Sequence, residues 1–149
     1  MPPTDFQTLL SGAEAARTRP LESAAAIARA LEIAPDDPDV RLAAYRFYFY
    51  THDYASAQDQ AAHVLTHAAR RLNIAADWRE VRAGDADFSA MEFAPGHYMQ
   101  ALVALGYCAA RLGDRPLAEA YLTHAATLDP TDRFGGAWLL SHLDAADED

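Results

Sequence analysis

His63 and His67 lie four residues apart, a spacing that puts both rings on one face of a helix. Two histidines so placed can bind zinc. Yet no Glu stands between them as in the metalloprotease motif, and no third ligand is evident nearby. The plainer reading is a solvated helix face, and His124 falls at the equivalent place of a later helix. His52 and His97 have no identifiable catalytic partner. Cys108 is the single cysteine, so no intrachain disulfide can form. Its Ala and Gly neighbours point to a buried structural thiol, whereas a nucleophile needs a base and an orienting group beside it. Gly135-Gly136 lacks the Lys-Ser or Lys-Thr that follows a phosphate-binding loop. The carboxylates scatter over helix caps and polar faces and do not pair as an acid and a base. These residues point away from an enzyme and imply no cofactor.

Composition bounds the fold. Of 149 residues, 51% are hydrophobic, which is enough for a core in one domain. Ala fills 34 positions, whereas Ile and Val together fill seven, so helix is favoured over strand and an all-α fold is expected. Every basic residue is Arg, as in proteins of GC-rich bacterial genomes. The formal net charge of −10 argues against nucleic acid or an anionic membrane as partner. No basic stretch followed by an apolar one opens the chain, and no apolar run reaches the roughly 18 residues of a membrane span. A soluble, cytoplasmic protein is expected.

Helix punctuation predicts about seven helices. Thr4 with Gln7 forms a capping box for the first. Pro20 opens the second, and Asp37-Pro38 supplies the cap and first residue of the third. Asp53 caps a fourth, from about Tyr54 to Leu72. Pro95-Gly96 introduces a fifth, which ends near Gly113. Asp114 caps a sixth, and Thr131 or Asp132 starts a seventh carrying Trp138, Leu139, Leu140 and Leu143. Between the fourth and fifth lies an aromatic insertion, about 73–96, with Trp78, Phe88 and Phe93. Within it Asp77 and Glu80 could cap a short helix ending at Gly84. The insertion either binds a partner or packs between hairpins. Residues 144–149 form an acidic tail beyond a domain spanning 1–143.

From Leu105 to Pro130, small residues recur where two helices must touch, Gly113 sits at the turn and Pro130 closes the unit. This hairpin resembles the tetratricopeptide repeat (TPR) family, whose units run about 34 residues. Asp53-Tyr54, Ala57 and Tyr48 fit a second unit from Pro38, and Ala30 with Pro35 fit an earlier one from Thr4. Tyr45 departs from the pattern, standing where close packing wants a small residue. The resemblance implies a TPR-like bundle of helical hairpins, a right-handed α-α superhelix of about three repeats. The last helix would cap it with a polar outer side.

The resemblance also implies a concave face built from set positions of the first helix of each hairpin. Here these are Asp39, Leu42, Arg46, Phe49 and Tyr50 in one unit, and Gln100, Val103, Tyr107, Ala110 and Arg111 in the next. Arg and Tyr dominate binding energetics because each joins broad apolar contact to a polar tip. The expected partner-binding set is Arg46, Phe49, Tyr50, Gln100, Tyr107 and Arg111, with Trp78 from the insertion. The partner would be a protein or peptide segment, mostly apolar with a few acidic groups, and a homodimer is possible. The family's carboxylate clamp is missing, since Leu42, Ala43, Val103 and Ala104 stand at its positions. The expected function is a non-catalytic binding module or scaffold. The alternatives are a secretion-chaperone-like TPR protein, on size, repeat number and acidity, or a metal-dependent protein using His63 and His67.

Overall fold

The computed structural model describes residues 20–88 and 93–143. The described residues contain α-helices and no strand, so the protein is all-α. The helices are α1 (Pro20–Ile33), α2 (Pro38–Tyr50), α3 (Tyr54–Leu72), α4 (Phe93–Arg111), α5 (Arg115–Leu128) and α6 (Gly136–Ser141). The helix expected from Thr4, and with it the first part of the earliest repeat, lies outside the described residues, as does the acidic tail. The chain divides into two compact units, Met1–His63 and Val64–Asp149, and the division falls inside α3.

In the first unit, α1 packs on α2. The α2 core stripe is Val40, Ala43, Ala44 and Phe47, the i, i+3, i+4, i+7 spacing of one helix face. Ile27 joins it from α1, and Leu31 and Tyr48 pack at its edge. The small residues at the contact are therefore Ala43 and Ala44. Tyr45 is only half-buried and leans on Phe49 with ring centroids 5.7 Å apart. Asp37 caps α2 by accepting from the Asp39 N–H at 2.8 Å, with Pro38 at the first helical position, where a missing N–H is harmless. Arg41 ties α2 to α3, donating to the Gln60 side chain at 2.9 Å and to the Pro35 carbonyl at 2.7 Å.

The α2–α3 and α4–α5 turns share one geometry. In the first, Asp53 N–H donates to the Tyr48 carbonyl at 2.8 Å and His52 N–H to that of Phe49 at 3.1 Å. In the second, Asp114 N–H reaches Ala109 at 2.9 Å and Gly113 N–H reaches Ala110 at 3.1 Å. This pairing closes a helix through one left-handed residue. Gly113 takes that place at φ +84°, and His52 takes it at φ +64°. A side chain there costs about 1–2 kcal/mol relative to glycine. After each turn an aspartate caps the next helix: Asp53 accepts from Ser56 N–H and Asp114 from Leu117 N–H, both at 3.2 Å.

In the second unit, α5 packs on both α4 and α6. The core face of α5 is Ala118, Leu122, Ala125 and Leu128. It meets α4 where Gly106 has no side chain: a Cβ there would stand 2.6 Å from Leu122 Cδ2. Helix α4 starts at Phe93, two residues before the expected Pro95, because proline is tolerated in a first turn whose N–H groups have no helical acceptor. The insertion holds two one-turn 3₁₀ helices, Trp78–Glu80 and Ala83–Asp85, in place of one short helix. Asp77 does cap the first, accepting from Arg79 N–H at 3.0 Å, but Val81 then turns extended and buries its side chain.

The last helix starts at Gly136 instead of Thr131 or Asp132. Asp132 stands before it at φ +54°, and its carboxylate accepts from Ala137 N–H at 2.9 Å and Trp138 N–H at 3.1 Å. Gly136 allows close packing on α5, since a Cβ would lie 2.9 Å from the Ala125 Cβ. The outer side is not wholly polar: Trp138 is 58% exposed, with its ring stacked on His142 at 4.1 Å.

Two glycines of α4 should respond oppositely to the same change. Gly106→Ala should destabilise the protein by about 1–3 kcal/mol, because the new methyl meets wholly buried Leu122. Gly96→Ala has nothing within 4 Å of its new methyl and should stabilise by about 0.5–1 kcal/mol through lower chain entropy. Urea melts of the two variants check both signs.

Candidate binding surface

Helix α4 carries the clearest surface signal. From Pro95 to Ala110 every residue is buried except His97, Gln100, Ala104 and Tyr107. With half-buried Arg111 these follow one another at helical intervals of three and four, so they form a single stripe. Gln100, Tyr107 and Arg111, expected from the sequence to face a partner, all lie on it. Val103 and Ala110, expected beside them, are buried.

In the first unit, Phe49 lies on the side of α2 opposite Val40, Ala43, Ala44 and Phe47, and Arg46 and Tyr50 flank that core stripe. Arg46 and Tyr50 are exposed and Phe49 is half-buried. Phe49 meets Tyr50 edge to face at 5.8 Å. The run of five aromatic residues thus divides in two. Phe47 and Tyr48 serve the core, while Tyr45, Phe49 and Tyr50 lie outside it.

Trp78 is placed differently from the other candidates. It is only 8% exposed. Its ring lies 4.4 Å from Tyr121 and meets His124 edge-on at 5.4 Å, while the Arg79 guanidinium covers it at 4.5 Å. The insertion therefore seats a tryptophan against Tyr121 and His124 of α5. Burial raises the Tyr121 phenol above its ordinary range, partly offset by nearby Arg79 and a hydrogen bond with Trp78. Phe88, also buried, anchors the far end of the insertion against Tyr98 at 5.6 Å.

The histidines do not share one solvated face. His63 is exposed, but His67 and His124 are half-buried, and the Nε2 atom of each is buried without a hydrogen-bond partner. Sequence spacing could not reveal this, because Trp78 reaches His124 from a distant segment. Among the described residues no three His, Cys, Asp or Glu side chains gather to hold a metal ion, and no helix is long and apolar enough to cross a membrane.

Cys108 is wholly buried, as its small neighbours implied, and burial pushes its thiol up to about 12. The Tyr98 phenol is likewise pushed up to about 12, first by burial and then by the charges of Asp77 and Asp85. Neither group is ionised near neutrality, so neither is a ready nucleophile.

No family model matches the chain, and no solved structure matches it. It is similar to an uncharacterized 19.8 kDa protein in the nifW 5′ region of Azotobacter chroococcum mcd 1, with 36% identity over 113 residues. The match covers 74% of this chain and 63% of the relative, so less than two thirds of the relative's length is spanned.

The buried thiol predicts a pH dependence. Cys108 keeps its proton in the folded protein up to about pH 12, whereas the unfolded chain loses it near 9.0. Stability is therefore full below about pH 9 and falls as pH rises toward 12, by at most roughly 1.4 kcal/mol per pH unit for this group. Cys108→Ala should show a shallower alkaline loss than the parent in urea melts at stepped pH. An unchanged slope would mean that the thiol ionises equally in both states.

Proposed function

We propose that this protein is a non-catalytic binding module that holds a protein or peptide segment on helix faces turned away from its core, in the manner of a TPR scaffold. The stripe on α4 carries the reading: on a helix otherwise buried from Pro95 to Ala110, the surface left over bears Gln100, Tyr107 and Arg111. Tyrosine and arginine are the types that anchor interfaces, and their loss can cost about 2 kcal/mol or more in binding. On α2, Arg46, Phe49 and Tyr50 offer a second face of similar chemistry. The same helix closure occurs at His52, Asn73 and Gly113, and at His52 and Gly113 an aspartate-capped helix follows at once, which supports a repeated hairpin unit. The arginines favour a partner with a few carboxylates in an otherwise apolar segment. The buried, protonated Cys108 thiol supports a role without covalent chemistry.

The relative's position in the nifW 5′ region makes the nifW product the first partner to try, followed by affinity capture from the source cells. With a partner in hand, Tyr107→Ala and Arg111→Ala should each weaken its binding about tenfold or more, while thermal melts stay close to the parent's. Unchanged affinity in both folded variants would remove the α4 stripe as the binding face.

A further inference from the structure

We draw no further inference here: the strongest candidate, the surface patch on α6 where the exposed Trp138 ring stacks on His142, carries nothing because nothing in the structure shows what covers it.

Discussion

The close approach of α4 and α5 at Gly106 is the constraint on which the second unit depends. Leu122 fills the space that a side chain at Gly106 would take, and the contact lets α5 press its Ala118, Leu122, Ala125 and Leu128 face onto α4. Any larger residue there would part the helices and leave voids around Tyr98, Leu102 and Cys108, all wholly buried. Helix–helix packing at native density tolerates such a gap poorly. The same contact leads outward. Helix α5 covers α4 closely, and from Pro95 to Ala110 the surface left on α4 is one stripe. A helix so enclosed leaves few residues at its surface, which gives the identity of those few its weight.

The insertion follows a related logic. Trp78, Val81 and Phe88 are buried, and Trp78 packs on Tyr121 and His124 of α5. The segment is an integral covering of its unit, which accounts for its aromatic content without a partner for Trp78. The first unit is built differently. Outside its core cluster α2 keeps Tyr45, Phe49, Tyr50 and Arg46, and its turn keeps a histidine in a left-handed conformation.

The sequence was most legible where a structure is decided locally. The caps at Asp37, Asp53 and Asp114 are each settled within three residues by a carboxylate accepting a backbone N–H, and all three stand where pattern reading puts them. The all-α class follows from alanine content for the same reason. Failures came where distant residues decide. Asp77 does cap a turn, but burial of Val81 ends it before a helix can grow. Gly106 reads as one small residue among several, and only the position of Leu122 makes it critical. The placement of Trp78 against α5, and with it the half-burial of His124, has no signal in spacing. Gln100, Tyr107 and Arg111, which the family resemblance puts at groove positions, share one stripe of α4, because a repeat of 3.6 fixes which residues share a face. Val103 and Ala110, expected on the same face, are buried. The oddity of His52 at a glycine turn is visible in the sequence, and its stacking on Tyr54 is not.

The central claim, that a partner lies along the open stripe of α4, is tested most directly by site-specific photo-crosslinking in the source cells. A benzophenone amino acid would replace Tyr107 or Gln100 on the stripe, and Glu119 as an exposed control on α5. The account predicts a discrete adduct with another protein from the two α4 positions and none from Glu119. Adducts from Glu119 with none from either α4 position would contradict it.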